Sequence, residues 1–254
     1  MNINFVHDSP ALLLESKKER ILVIADLHIG LEKELAANGI TVPSQLMKLQ
    51  RRLFDLVEKT NANHVIILGD IKHDYKGIGW QEMVDVPAFF QRLAEEVKVT
   101  LVKGNHDGDI EQVLPKGIEL HDPVGYVMED VLLTHGQAWP EKSMLPAKTI
   151  IMGHIHPAVE FWSGGARSVE HVFMRAPVRK DVLERKFKTK TNLENAIIVP
   201  TFNHMSGGAS FNRQDFEPIG PLLEKVVDWK NGEVFLVDGT YLGLLKNLVN
   251  KMKR

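Results

Sequence analysis

The sequence predicts an α/β fold of stacked layers, and three observations carry the prediction. Apolar runs at residues 21–25, 64–68 and 98–103 alternate with stretches of helical period through the first half of the chain. These runs give way to Asp26, to Gly69-Asp70 and to Gly104-Asn105, so polar chemistry gathers at strand ends. After about residue 117 the helical period fades and short strand-like runs follow one another, as in a sheet-rich layer packed on the first.

Taken in order, residues 3–6 and 11–14 read as two short strands around a turn at Asp8-Ser9-Pro10. Residues 21–25 are apolar without alternation, which suits a strand buried on both faces. Pro43 fits the first turn of a helix. Leu46, Leu49, Leu53, Leu56 and Val57 continue that helix as one apolar stripe. The strand at 64–68 is followed by a helix over about 80–97, with a kink or break at Pro87, and by a strand at 98–103. Residues 124–128, 131–134, 149–152 and 159–162 read as strands. Residues 163–193 read as the least regular stretch, with a turn at Gly164-Gly165, and residues 196–199 return to strand. Asn231-Gly232 is a hairpin signal between strands at 226–229 and 234–237. Leu242, Leu245, Leu248, Val249 and Met252 mark a C-terminal helix. The 254 residues contain no internal repeat and are expected to form one domain over 1–254.

Composition narrows the function. With 44% hydrophobic and 25% charged residues the chain is ordinary globular material, and a net charge of −2 gives no global pull towards nucleic acid or acidic membranes. The segment 175–190 is a local exception, with seven basic residues against Asp181 and Glu184. It reads either as a grip on a nucleic-acid backbone or as a solvated strand pair. No cysteine is present, so disulfides and thiolate metal sites are excluded. No apolar run approaches the ~18 residues that span a bilayer, and the N-terminal residues do not read as a signal peptide. A cytoplasmic protein with no membrane partner is expected.

Five segments carry the chemistry: Asp26-Leu27-His28, Gly69-Asp70, Gly104-Asn105-His106-Asp107, Thr134-His135-Gly136 and Gly153-His154-Ile155-His156. Each sets hard oxygen or imidazole donors at or near a strand end, most beside glycine. Phosphate esters resist hydrolysis because their anionic oxygens repel a nucleophile. Two cations about 3.5–4 Å apart neutralise those oxygens and share a water that ionises near neutral pH. Such a centre needs a bridging carboxylate and N/O donors on either side. Asp70 can give one oxygen to each ion, Asn105 offers a neutral amide oxygen, and His28, His135, His154 and His156 offer imidazoles. Mixed imidazole and carboxylate donors favour Mn²⁺, with Fe, Ni, Co or Zn as alternatives.

Together and in this order the five segments resemble the calcineurin-like metallophosphoesterase superfamily, over residues 26–156. The overall layout resembles a compact prokaryotic branch related to SbcD-type nucleases. The resemblance implies a β-sandwich of mixed sheets flanked by helices, and hydrolysis by a metal-bridging hydroxide. It implies that Asp26, His28 and His156 bind one ion, that Asn105, His135 and His154 bind the other, and that Asp70 bridges. It further implies that His106 faces the leaving group as a general acid or as a donor to a phosphate oxygen, with Asn105 beside the substrate. Asp107 is expected to orient His106 and fix its tautomer. One departure stands out: many members carry Asp or Asn three residues after the bridging Asp, and this chain has His73.

The expected function is a phosphodiesterase, with nucleic acid as one candidate substrate and a protein partner unspecified. The alternatives are a monoesterase acting on a small metabolite or phosphoprotein, and a non-catalytic scaffold that keeps the fold. Asn203-His204 and Ser206-Gly207-Gly208 read as a strand-to-loop turn or as cleft lining, and Asn203 and Arg179 are the further substrate-binding candidates. His7, His64, His121 and His171 read as surface or core histidines.

Overall fold

A computed structural model describes residues 1–249. The chain starts with β1 (Asn2–Phe5), β2 (Leu12–Glu15) and β3 (Arg20–Ile24), an antiparallel meander. Helices α1 (Leu31–Ala37) and α2 (Leu46–Thr60) lead to β4 (His64–Leu68), and α3 (Trp80–Ala94) leads to β5 (Lys98–Val102). With β6 (Glu119–His121) these strands form a six-stranded sheet in sequence order, parallel from β3 to β6.

The second sheet has nine strands among the described residues. In chain order they are β7 (Tyr126–Met128), β8 (Val131–Thr134), β9 (Thr149–Met152), β10 (Pro157–Ser163), β11 (Ala166–Pro177), then, after α4 (Lys180–Phe187), β12 (Asn195–Ile198), β13 (Ala209–Ser210), β14 (Glu233–Leu236) and β15 (Tyr241–Leu244), with the short α5 (Leu245–Leu248) last. The spatial order β13-β10-β11-β12-β9-β8-β7 mixes parallel and antiparallel pairs, and β14 joins β11 to β15.

Alternation along each strand makes the layers, because successive side chains point to opposite faces. On β4, Val65 and Ile67 meet Leu53, Leu56, Phe89 and Phe90 of α2 and α3. Ile66 and Leu68 face the other way, into a core shared with Val131, Leu133, Ile151, Phe173 and Ile197 of the second sheet. Phe5 stacks on Phe173 across that interface at 4.6 Å. The outer face of the second sheet, with Leu132, Ile150, Met152 and Ile198, packs on Leu183 of α4 and on Leu222, Leu223 and Val226. Two sheets face to face with helices outside them is the layered α/β sandwich that the sequence predicts.

Several local expectations are corrected. Residues 163–193 are regular: β10 and the twelve-residue β11 form a hairpin about the expected Gly164-Gly165 turn, and α4 follows. Helical turns therefore return after residue 117. Helix α1 is an addition that no apolar stripe announced. Pro43 lies in the loop before α2, whose N-cap is Gln45. Pro87 does not break α3, since the carbonyl deprived of a donor belongs to the exposed Met83. Asn231-Gly232 is not a hairpin turn. Gly232 has φ −70°, whereas the expected turn needs positive φ at both central residues. Residues 222–226 form instead a π-helical turn whose Leu222, Leu223 and Val226 enter the core. Leu242 belongs to β15, and Met252 of the expected terminal helix lies outside the described residues. No helix among those residues is long and apolar enough to cross a membrane.

Candidate metal centre

The motif loops follow β3, β4 and β5 of the first sheet and β8 and β9 of the second, and they meet at one edge of the sandwich. Ligands collect at the carboxyl ends of parallel strands for this reason: the loops there converge while the strands stay fixed. Asp26, His28, Asp70, His154 and His156 all have left-handed backbones, with φ of 59°, 43°, 50°, 73° and 46°. Each such turn costs a non-glycine residue about 1–3 kcal/mol, and here the turns carry the candidate donors off the strand ends. The Asp26–His28 turn is pinned from β12's exit loop. Thr201 Oγ1 donates to the Asp26 carbonyl at 2.9 Å and Asn203 Nδ2 to the Leu27 carbonyl at 3.0 Å. Glycine is required where loops touch: a Cβ on Gly104 would overlap the Asp70 amide, and one on Gly69 would overlap the His135 ring.

Two groups of donor atoms that include a carboxylate result, Asp26 with His28 and His156, and Asp70 with His135 and His154, while a third group, all histidine, joins His28 to His73 and His106 at the rim. His28 Nε2 and His156 Nε2 lie 3.1 Å apart, and His135 Nε2 lies 3.2 Å from His154 Nδ1 and 3.3 Å from Asn105 Oδ1. Asp70 stands between the groups. Its Oδ1 is 3.3 Å from His135 Nε2 and its Oδ2 is 3.8 Å from His28 Nε2.

The outward nitrogens are committed elsewhere, which fixes what the inward ones can do. His135 Nδ1 donates to the Leu68 carbonyl at 2.7 Å, and His156 Nδ1 to the Gly207 carbonyl at 3.0 Å. A carbonyl only accepts, so each Nδ1 carries a hydrogen, and each ring turns a lone pair inward once its inward nitrogen gives up its proton, the tautomer that binds a metal. His28 reaches the same state through side chains. His73 Nε2 faces Glu34 Oε2 at 2.5 Å, and His73 Nδ1 faces His28 Nδ1 at 3.3 Å. With Glu34 accepting from His73 and His73 accepting from His28, His28 Nε2 keeps its lone pair.

The electrostatics agree with a cation site. Burial lowers His28 to about 3 and, with the neighbouring His135, lowers His154 to about 4, so both rings are neutral donors. Burial opposes charge on His135 too, but Asp70 and Asp26 outweigh it and raise His135 to about 9. Burial also pushes Asp70 up, and the facing His135 and His28 overcome it and hold the carboxyl well below the usual range. The buried acids thus demand positive charge between them, from a proton or from a metal ion. Two carboxylates, an amide oxygen and four imidazoles form a donor set that suits two hard or borderline divalent ions.

His106 sits at the rim, with Nε2 3.9 Å from Asp70 Oδ2 and its ring edge-on to His28. Its Nδ1 donates to the His73 carbonyl, and that contact fixes its tautomer. The expected tautomer role of Asp107 is therefore corrected. The buried Asp107 carboxylate accepts instead from the Gly104 and Ile71 amides, both at 2.8 Å, and ties the loops after β4 and β5 together. Burial, with Asp70 nearby, pushes that carboxyl up to about 6.

Asn203 is likewise a buttress, 1% exposed and turned to backbone carbonyls. Arg179 is not brought to the clusters; it pairs with Asp228 at 3.1 Å. Much of the basic segment around it is paired as well: Arg175 with Glu233, Lys180 with Glu194, Arg185 with Asp181 and Lys190 with Glu184. His7, His64, His121 and His171 belong to none of these groups. Sequence reasoning missed Glu34, which sits on the unforeseen α1, and the Leu68, Gly207 and His73 carbonyls, which no residue type can signal.

The profile of the calcineurin-like phosphoesterases matches residues 19–186, more than half of the chain and all of the motif loops. The chain belongs to that family. This calcineurin-like phosphoesterase is accordingly a metal-dependent phosphoric ester hydrolase that uses divalent ions, and its His and Asp clusters fit them. No curated relative matches it. Among solved structures it is similar to a Pseudomonas putida nuclease, MPE, at 21% identity, covering 93% of this chain and 98% of that one with a TM-score of 0.54, a likeness of fold. It also matches Yfce, a phosphoesterase from E. coli, at 22% identity over 58% of this chain and 75% of that one, with a TM-score of 0.36.

Proposed function

We propose that this calcineurin-like phosphoesterase is a phosphodiesterase whose substrate is nucleic acid. In this reading Asp26, His28 and His156 would hold one ion, Asn105, His135 and His154 would hold the other, and Asp70 would serve both. The observation that carries the reading is the position of Asp70, with one oxygen turned to each donor group and His106 beside it. Mn²⁺ is the favoured metal for this donor set. When bound, the ion pair neutralises the phosphate oxygens and supplies an ionised water near neutral pH.

The chain's own residues do the rest. Nδ1 of His106 is committed to the His73 carbonyl, so Nε2 is the atom that holds or hands over a proton at the departing oxygen. The neutral Asn105 amide approaches the phosphate without adding negative charge. Asp107, Thr201 and Asn203 keep the loops from drifting, since catalytic geometry tolerates little misplacement. A nucleic-acid diester is favoured because the MPE neighbour, which shares the fold over nearly its whole length, is described as a nuclease.

The test is a metal-resolved screen. Chelator-stripped protein is given Mn²⁺, Mg²⁺, Ni²⁺, Co²⁺ or Zn²⁺ with an aryl phosphodiester, an aryl phosphomonoester, and single- and double-stranded DNA and RNA. Cleavage of diesters and nucleic acid, lost in Asp70→Ala together with bound metal, is the expected result. Activity confined to monoesters would replace the reading with a monoesterase. Silence in every lane with two metals bound would replace it with a scaffold.

A further inference from the structure

The rim on the leaving-group side carries an aromatic residue that the metal chemistry does not use. Tyr75 is 66% exposed, and its ring meets the ring of His106 edge-on, at 6.1 Å between centroids and 82° between planes. An exposed tyrosine is ordinary by itself. This one is held in place from several sides. The loop before it is anchored by the buried Glu82, which accepts from the His73 amide at 3.1 Å and the Asp74 amide at 2.9 Å. Glu82 also accepts from the Gly79 amide at 2.7 Å, which closes the far end of the loop. The Lys72 ammonium donates to the Asp74 carbonyl, and the Lys76 amide donates to Asp74 Oδ1 at 2.9 Å. The loop that presents Tyr75 is thus the one whose His73 carbonyl holds His106, so the two rings share one support.

Charge at this rim suits the same occupant. The Lys76 ammonium lies 5.6 Å from the centre of the Tyr75 ring, and Trp80, 76% exposed, opens α3 a few residues on. The ammonium lies over the ring, so an exposed aromatic and a cation are held together, and that pairing is what receives a base and its phosphate in single strands. In the reading above His106 serves the departing oxygen, and Tyr75 is the exposed ring in edge contact with His106 at that rim.

We propose that Tyr75 is a stacking platform for the base of the leaving-group nucleotide, with Lys76 beside the next phosphate. The assignment rests on the diesterase reading above and narrows it to substrates with an unpaired base on the leaving side.

The test compares a short oligothymidylate with an abasic oligonucleotide of the same length, so that phosphate charge is constant and only the bases differ. Wild type with Mn²⁺ is expected to show a KM about tenfold lower for the oligothymidylate. Tyr75→Ala is expected to raise that KM towards the abasic value, and Tyr75→Phe and Tyr75→Trp to restore the preference. The chelator-treated protein, read by fluorescence anisotropy with the same two oligonucleotides, should show the same order without turnover. A dinucleoside monophosphate retaining the Tyr75-dependent preference identifies one stacked base as sufficient, and loss of the preference there locates the contact further along a strand and overturns the leaving-group placement. An unchanged KM ratio in Tyr75→Ala overturns the platform while leaving diesterase activity standing, as does an equal loss on both oligonucleotides, which marks a merely structural support of His106. A wild type inert on every diester overturns the function and this assignment with it.

Discussion

His106 is fixed at one nitrogen and open at the other, and that asymmetry makes its contribution separable from metal binding. Its Nδ1 is spent on the His73 carbonyl, and Nε2 stands 3.9 Å from the nearer Asp70 oxygen, outside the two donor groups that meet at Asp70. Replacing it by Ala should therefore leave the metal content unchanged. The rate on a diester with a poor leaving group should fall by about 10²–10⁴, the usual worth of a positioned acid or base. An aryl diester, whose phenolate leaves without help, should lose much less. Metal analysis and kcat on paired leaving groups read this directly. An equal loss on both would remove the acid role and leave His106 as a donor to a phosphate oxygen. Asp70→Ala differs in kind, because it removes the carboxylate whose two oxygens face the two groups, so occupancy and rate should fall together.

At the scale of the element, α3 does more than cover the sheet. Glu82, in its first turn and 1% exposed, gathers three amides from the loop that presents His73. Glu82→Ala leaves those amides without their acceptor, at about 1–3 kcal/mol of folding stability. It also frees the carbonyl that orients His106. Urea unfolding should show the loss, and activity should fall further than metal content does; a variant as stable and active as wild type would refute the anchoring role. This element also marks the limit of sequence reading. The strands ending at Asp26, Asp70 and Asn105 were legible because a buried parallel strand is an unbroken apolar run followed by a polar stop. Helix α3 was legible from its helical period. Strand β11 was not: half of it is exposed, and its Arg167 and Arg175 pair with Glu160 of β10 and Glu233 of β14 where an apolar pattern would otherwise mark a strand. Nor were the carbonyls that fix the histidine tautomers, or the true partners of Asp107, because these depend on how loops from distant strands meet.

At the scale of the whole molecule, the strand that delivers Asp70 begins with a buried histidine, and this couples acid stability to the sheet beneath the site. His64 Nε2 contacts Thr100 Oγ1 at 2.8 Å on β5, and Thr100 donates to Glu119 Oε2 at 3.0 Å on β6. Thr100 therefore accepts from His64, whose hydrogen sits on Nε2. Nδ1 is buried without a hydrogen-bond partner among the described residues, and Glu19 is 3.8 Å away. Burial, reinforced by Lys98, lowers the pKa of this imidazole below its ordinary 6.5, against the pull of Glu19 and Glu119. The unfolded chain then takes up a proton at a pH where the folded chain does not. Since stability rises with pH wherever the unfolded state binds more protons, the contribution is intact above about 6.5 and is lost as pH falls below it, at up to about 1.4 kcal/mol per pH unit. His64→Gln keeps an amide near Thr100 and cannot titrate, so its stability should fall less steeply from pH 6.5 to 5.5 than that of wild type. Urea unfolding of both proteins in excess chelator isolates the difference, because protonation of the metal-site histidines then enters both curves alike. Parallel curves over that range would show that the fold leaves the His64 pKa at its ordinary value, and a shallower fall in wild type than in the variant would show that His64 is protonated in the fold, with Glu19 closing on Nδ1 as its counter-ion.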